Sequence, residues 1–261
     1  SVGKIIAMKA APKLCPVTLE LGGKNPNIIM SDADLDIAIP GVIDGMRYTR
    51  QGQACTAGSR VYIHEKIYDK VLEGAVEKLS KLKMGNALDE KSDIGAIISE
   101  EQLKRTLYYM DIAKKNSSTK ILHGGNQSKG GEYKDGFYYE PTLLSGLPVS
   151  SPICQEEVFG PVACAIPFKS FDEVMKSAND TQFGLSAVLW TKDLSRALQF
   201  VDEIEAGFVQ VNQCVAPRAN VSYGGIKMSG LGKEYAFDSM MNHFTQSKTV
   251  LINRGKSNLD V

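Results

Sequence analysis

Strand-like and helix-like patterns of apolar residues alternate along most of this chain. Residues 4–11 make a short helical stretch that Pro12 stops. Residues 16–21 alternate in polarity and run into Gly22 and Gly23, the pattern of a strand delivering its residues to a loop. Residues 40–50 read as a helix, because a proline such as Pro40 suits a first turn far better than an interior. A strand is expected over residues 60–64. After it Ile67, Val71, Leu72, Val76, Leu79 and Leu82 fall on one helical face, with Lys66, Lys70, Glu73, Glu77, Lys78 and Lys81 on the other.

The same alternation continues. Residues 101–114 read as a helix, 119–122 as a strand closed by Gly124 and Gly125, and 126–136 as a polar surface loop. Strands are expected at 162–168, 185–190 and 207–211, with helices at 171–178 and 194–205 between them. A glycine-studded loop from Ser222 to Glu234 then leads to a helix and an extended strand over 244–253. This order predicts an α/β fold, a mainly parallel open sheet with flanking helices. In such a fold ligands are expected at the carboxyl ends of the strands. There is no internal repeat and no low-complexity tract.

Composition narrows the function classes. With 261 residues, 43% hydrophobic and 23% charged, the chain can bury roughly three quarters of its unfolded surface, which excludes disordered, collagen-like and coiled-coil classes. Thirty basic residues balance thirty acidic ones, a formal net charge of +0, so neither nucleic acid nor an anionic membrane is an expected partner. Apolar stretches such as 161–168 and 185–190 are strand-sized, far short of the roughly 18 residues of a membrane span. Cys15, Cys55, Cys154, Cys164 and Cys214 are odd in number and widely spaced, as expected for reduced thiols in a cytoplasmic protein. His64, His123 and His243 pair with no cysteine at ligand spacing, so no metal site is expected.

Three segments carry chemistry. In Gly52-Gln53-Ala54-Cys55-Thr56-Ala57-Gly58-Ser59-Arg60 a cysteine sits among small residues at a bend, open to close approach by a substrate. A nearby helix N-terminus would favour its thiolate and make it a nucleophile; a buried cysteine packing as a small hydrophobe fits the same residues. Glu20 interrupts the apolar run Val17-Thr18-Leu19-Glu20-Leu21 just before two glycines. Burial there would raise its pKa and make it a usable general base, while an ion pair to Lys24 or a distant arginine is the alternative. Glu156-Glu157-Val158-Phe159-Gly160-Pro161 places adjacent carboxylates before an apolar strand, which by itself reads as an acidic flank.

Taken in order, these segments resemble the NAD(P)-dependent aldehyde dehydrogenase superfamily over nearly the whole chain. The matching motifs are Leu19-Glu20-Leu21-Gly22-Gly23-Lys24, then Gly52-Gln53-Ala54-Cys55, with 35 residues from Glu20 to Cys55. Gly136–Thr142 follows, with Tyr138 where the family usually has phenylalanine, and then Glu156–Pro161, Asn179–Ala187 and Gly224–Glu234. The resemblance implies that Cys55 attacks an aldehyde to form a thiohemiacetal and then a thioester, and that Glu20 activates the water that hydrolyses it. It further implies that Glu157 holds the nicotinamide ribose of NAD or NADP and that Phe159 packs beside the ring. Leu21 and Gly22 would offer the backbone that approaches the nicotinamide, Gly3 would belong to the pyrophosphate turn, and Gln102 and Arg105 would touch the adenosine ribose. Arg218, in the loop that shapes the family's substrate mouth, is a candidate for an anionic aldehyde. The presence of Glu20 favours hydrolysis to a free acid over transfer to coenzyme A.

The resemblance divides the chain into the end of a dinucleotide-binding domain (1–21), a catalytic domain (22–238) and a C-terminal return segment with an oligomerisation strand (239–261). Homodimers or homotetramers are implied for the full-length protein. Family members run to about twice this length, and the chain opens Ser1-Val2-Gly3-Lys4 without an initiator methionine. It is therefore expected to be the catalytic half of a longer enzyme, lacking most of the cofactor domain and the asparagine of the family's oxyanion hole. Thr49 stands where succinic semialdehyde enzymes often carry an arginine, and Trp190 falls in an expected core strand rather than a substrate site. The aldehyde is thus left open. The rival reading is a catalytically silent chain acting only in assembly or binding.

Overall fold

Four of the longer helices begin where a side-chain oxygen accepts a free backbone N–H. Asp34 accepts from Asp36, Ser99 from Gln102, Ser170 from Glu173 and Asp193 from Arg196. The computed structural model describes residues 2–253. Its elements are α1 (Val2–Ala10), β1 (Leu19–Glu20), β2 (Pro26–Ile29), α2 (Leu35–Met46), β3 (Arg60–His64), α3 (Tyr68–Ser80), α4 (Glu100–Lys115), β4 (Lys120–His123), β5 (Thr142–Ser145), α5 (Pro152–Gln155), β6 (Val162–Phe168), α6 (Phe171–Asn179), β7 (Phe183–Gly184), β8 (Ser186–Trp190), α7 (Leu194–Glu203), β9 (Phe208–Val211), β10 (Ile226–Lys227), β11 (Gly230–Leu231) and α8 (Phe237–Phe244).

Seven strands form one sheet in the order β4-β5-β6-β3-β2-β8-β9, parallel throughout except for the edge pair β4 and β5. The expected α/β architecture, a mainly parallel sheet with flanking helices, is therefore what the chain adopts. Both faces are covered. Ile29, Val61, Ile63, Val188 and Trp190 point into one core with Val42, Met46, Val71 and Leu79 of α2 and α3. Ile28, Tyr62 and Leu189 point into the other with Val174, Met175 and Phe200 of α6 and α7. A strand buried on two sides reads as a continuous apolar run rather than an alternation, as Ser186–Trp190 does. A third core lies beneath α4 and α5, around Tyr109, Met110, Leu144 and Ile153. All five cysteines are free thiols, and Cys154 and Cys164 are fully buried.

Several boundaries differ from the sequence reading. The helix expected at 40–50 is Leu35–Met46, with Pro40 inside it; the Asp34 cap fixes the start, and the proline is accommodated at the loss of one backbone hydrogen bond. The strand expected over 16–21 is reduced to Leu19–Glu20, which pairs with Gly230–Leu231. Two central strands were hidden. β2 opens with Pro26 and carries buried Asn27, and β5 follows Pro141, so neither shows a long apolar run. The strand expected over 244–253 does not form within this chain: α8 ends at Phe244 and residues 245–253 carry no ladder, with Val250, Leu251 and Ile252 exposed. The expected oligomerisation segment continues to residue 261, and its residues from 254 onward lie outside the described ones. Among the described residues, no helix is long and apolar enough to cross a membrane.

Candidate active site

The motifs singled out in the sequence converge at the amino ends of three neighbouring strands, not at the carboxyl ends expected for this architecture. Glu20, Cys55 and Glu157 each lie five or six residues ahead of β2, β3 and β6. Those strands are in parallel register, with Pro26 opposite Arg60 and Arg60 opposite Cys164. Their lead-in loops therefore emerge at one rim of the sheet.

The loop bearing Cys55 turns sharply after α2, through left-handed backbone at Arg47, Gln51 and Gly52. Gly52 has φ +62 and packs so closely on the Gly160 carbonyl that a Cβ would collide with it. Gln51 is buried and donates from Nε2 to the Gly95 carbonyl at 2.6 Å. The firmest tether is Asn25. Its Nδ2 donates to the carbonyls of Cys55 (2.8 Å) and Ala57 (2.9 Å), and its Oδ1 accepts the N–H of Ser186 (2.9 Å). Gly23 passes beneath, where a Cβ would lie 2.6 Å from the Cys55 carbonyl. Cys55 itself is half-buried, unlike Cys154 and Cys164, and its Sγ lies 3.5 Å from the Tyr223 hydroxyl. The chain runs on from Cys55 into β3 without an intervening helix, and the start of α4 reaches the same loop where the Ile98 N–H bonds to Gln53 Oε1 at 3.0 Å.

Glu20 ends β1 opposite Gly230 and lies against the Tyr223–Gly225 segment, with a Cβ built at Gly224 falling 2.9 Å from its Oε1. Both carboxylate oxygens are shielded from water and neither makes a hydrogen bond. The expected alternative, an ion pair to Lys24 or a distant arginine, does not form. Burial raises the Glu20 pKa above the usual carboxylate range and the charge of Glu234 adds to this. The Gly225 N–H, although short of hydrogen-bond geometry, and the Lys233 charge pull the other way. Lys24 is instead fully buried behind the site, its pKa lowered by that burial. Arg60, also buried, donates from Nε to the Lys24 carbonyl at 2.8 Å and from Nη2 to the Ala178 carbonyl at 2.9 Å, which locks the lead-in of β2 to β3 and α6.

The residues expected to meet the cofactor form a second group beside this one. Glu157, Phe159, Gln102 and Arg105 line one open cleft of about 660 Å³ with Ile98, Ser99 and Glu101. Glu157 accepts the Gly23 N–H at 3.0 Å, and its carboxylate lies over Gly22, where a Cβ would overlap it. Burial pushes its pKa up, against the Gly23 hydrogen bond and the charges of Arg105 and Lys24. Gln102 Nε2 donates to the carbonyls of Val158 (3.0 Å) and Phe159 (2.8 Å), and Arg105 donates to that of Glu157. These two side chains thus hold the turn on which Phe159 sits, at φ +55. The neighbouring Glu156 accepts the Tyr109 hydroxyl at 2.7 Å, a packing role. Gly3 is buried in α1, with a Cβ there 2.7 Å from Leu21 Cδ1, so Gly3, Leu21, Gly22 and Glu157 form one contiguous surface. Arg218 is exposed, without a side-chain hydrogen bond or ion pair among the described residues. Its loop is held instead by Arg47 Nη2 to the Val215 carbonyl at 3.3 Å. Among the described residues no three His, Cys, Asp or Glu side chains gather as metal ligands.

The fold is shared with known proteins. The model of the aldehyde dehydrogenase family matches residues 1–250. The chain belongs to the aldehyde dehydrogenase family. An aldehyde dehydrogenase of Rhodospirillum rubrum is 40% identical over 97% of this chain and 50% of its own length. Among solved structures, the NAD+ complex of an aldehyde dehydrogenase from Bacillus cereus superposes with a TM-score of 0.86 at 36% identity, covering 91% of this chain and 48% of the other. A betaine aldehyde dehydrogenase from Staphylococcus aureus, also in complex with NAD+, gives 0.91 at 34% identity, covering 99% and 51%. The chain spans about half the length of the curated relatives it matches.

In this aldehyde dehydrogenase chain, sequence reading missed Asn25, Arg60 and Tyr223 as site residues. The signal for Asn25 was an amide beside a buried strand, where an unpaired polar group is costly and so must be doing something structural. The tether gives a first expectation. Asn25→Ala takes this partner from the Cys55 carbonyl and the Ser186 N–H, leaves the Ala57 carbonyl only the Ser59 N–H, and should destabilise the fold by on the order of 3 kcal/mol in urea unfolding; a midpoint unchanged from the parent would contradict the tether. Glu20 gives a second, whose sign follows from its raised pKa. Between the unfolded and the folded value the native state binds more protons, so stability falls as pH rises through the range just above ordinary glutamate. Glu20→Gln should flatten that fall, and the gap between the two melting temperatures should widen with pH across the window.

Proposed function

We propose that this chain carries the nucleophile and the general base of an NAD(P)-dependent oxidation of an aldehyde to a carboxylic acid. One observation carries the reading: a half-buried thiol on a pinned loop touches Tyr223, and an unpartnered carboxylate lies against the next residue, Gly224. With its proton given up to solvent, Cys55 Sγ attacks the carbonyl carbon, forming a C–S bond and an oxyanion that the Cys55 N–H would receive. Bound NAD(P) supplies the hydride acceptor that turns this thiohemiacetal into a thioester. Glu20 then takes a proton from the water that attacks the thioester carbon, and the C–S bond breaks to release the acid and regenerate the thiol. A carboxylate without hydrogen-bond partners and with a raised pKa is a stronger base than a solvated one, which suits Glu20 to that step.

Within the same reading, the Glu157 carboxylate over Gly22 holds the nicotinamide ribose and Phe159 packs beside the ring. Leu21 and Gly22 supply close backbone, Gly3 belongs to the pyrophosphate turn, and Gln102 and Arg105 reach the adenosine ribose. The Gly22 surface fits this assignment, since any side chain there would fill the space. Residues 1–21 form the end of the dinucleotide-binding domain, 22–238 the catalytic domain and 239–261 the return segment. Assembly into dimers or tetramers, with the apolar residues near 250 adding to a partner's sheet, completes the assignment. Arg218 is proposed only as a contact for an anionic aldehyde.

The assembly-only reading draws on the exposed apolar residues of α1 and α8, among them Val2, Met8, Phe237 and Phe244. An activated ester separates the two readings, because thiolate attack and water activation need no nicotinamide. This chain should cleave p-nitrophenyl acetate, Cys55→Ala should abolish cleavage, and Glu20→Gln should slow steady-state turnover by on the order of 100-fold. Equal turnover in the parent and the Cys55→Ala chain would remove the assignment.

A further inference from the structure

Tyr223 touches the atom proposed to react. Its hydroxyl lies 3.5 Å from Cys55 Sγ, and the residue is only 6% exposed. The ring is clamped edge-on by Phe208 (centroids 5.5 Å apart) and Tyr235 (5.6 Å). Its backbone is fixed to Glu234 by two hydrogen bonds, N–H to carbonyl at 3.0 Å and carbonyl from N–H at 2.7 Å. The phenol therefore has little freedom except to face the sulfur.

We propose that Tyr223 is a catalytic hydrogen-bond donor that holds and stabilises the Cys55 thiolate. The inference rests on Cys55 being the nucleophile. While the sulfur carries its proton, either group can donate. Once the thiol proton has left to solvent, only the phenol has a hydrogen to give, and the contact becomes a hydrogen bond to an anion, the stronger kind. The donor must keep its proton for this. Burial raises the Tyr223 pKa, and the hydrogen bond and charge of Cys55, the Glu20 charge and Tyr235 raise it further, so the hydroxyl stays protonated while its neighbours ionise. The other charged groups at this face are Glu234 and Lys233, both of which act on Glu20; Lys233 Nζ is engaged by the Gly224 carbonyl. Among the described residues the phenol is the side-chain hydrogen-bond partner found at the sulfur.

The test is the rate at which iodoacetamide alkylates Cys55 in this chain, followed by mass spectrometry of the Cys55 peptide. The thiolate displaces iodide and forms the C–S bond, with no cofactor or base in the step. Tyr223→Phe removes one hydroxyl and keeps both ring contacts. Alkylation of Cys55 near neutral pH should fall at least about tenfold, the scale of a hydrogen bond to a charged group, and the two rates should converge at a pH where the thiol is fully ionised. Exposed Cys15 should react equally in both chains, and fully buried Cys154 and Cys164 should stay unlabelled as a check on folding. Tyr235→Phe, which alters the same cluster without touching the sulfur, should leave the rate unchanged. Equal Cys55 rates in the parent and Tyr223→Phe chains, or a fall that persists at every pH, would overturn the donor role and leave the nucleophile assignment standing. An unreactive Cys55 in the parent chain would remove both.

Discussion

Three hydrogen bonds from one buried amide hold the candidate nucleophile where it is. Asn25 bonds to the carbonyls of Cys55 and Ala57 and to the Ser186 N–H, and so ties the lead-ins of β2, β3 and β8 together just below the rim of the sheet. A loop with left-handed residues at Gln51 and Gly52 has no ladder of its own, and without such a tether its backbone groups would seek water. The close approaches at Gly23 and Gly52 follow from the same constraint, since the loop can sit this low only where no Cβ intervenes.

The electrostatics of the site depend on that packing. Glu20 and Glu157 flank the pair of glycines, and both have raised pKa values because each carboxyl is partly withdrawn from water. Their surroundings differ in a useful way. Glu157 has a backbone N–H and lies near Arg105, which suits a carboxylate that binds, whereas Glu20 has no hydrogen bond and suits one that exchanges protons. Lys24 and Arg60, which could have neutralised either, are directed into the body of the fold, where Arg60 is spent on carbonyls. The site thereby keeps its acidity adjustable while the strands beneath it remain fixed.

The β-α-β-α order along the chain was legible because its helices are amphipathic and its strands β3 and β6 carry the apolar runs Val61-Tyr62-Ile63 and Val162–Phe168. Strands β2 and β5 were not, because Pro26, Asn27 and Pro141 interrupt the pattern for reasons that exist only in three dimensions: Asn27 accepts the Trp190 Nε1–H at 2.7 Å across the sheet. The candidate residues themselves were legible, since Glu20 in an apolar run and Cys55 among small residues are locally out of place. Their meeting point was not. Tyr223 and the 224–225 glycines reach Glu20 and Cys55 from the far end of the chain, and the pairings of β1 with β11 and of β7 with β10 bring them there. Residues 245–253 join no strand ladder within this chain, and an apolar run there signals burial somewhere without saying that the burial is within the same chain.

The central claim is that Cys55 forms an acyl intermediate which Glu20 resolves. Mass spectrometry of this chain after mixing with p-nitrophenyl acetate tests it most directly. A single acetyl group is expected on the Cys55 peptide, persisting in the Glu20→Gln chain and decaying in the parent. An acetyl group on another residue, or one that decays equally fast in both chains, would contradict the account.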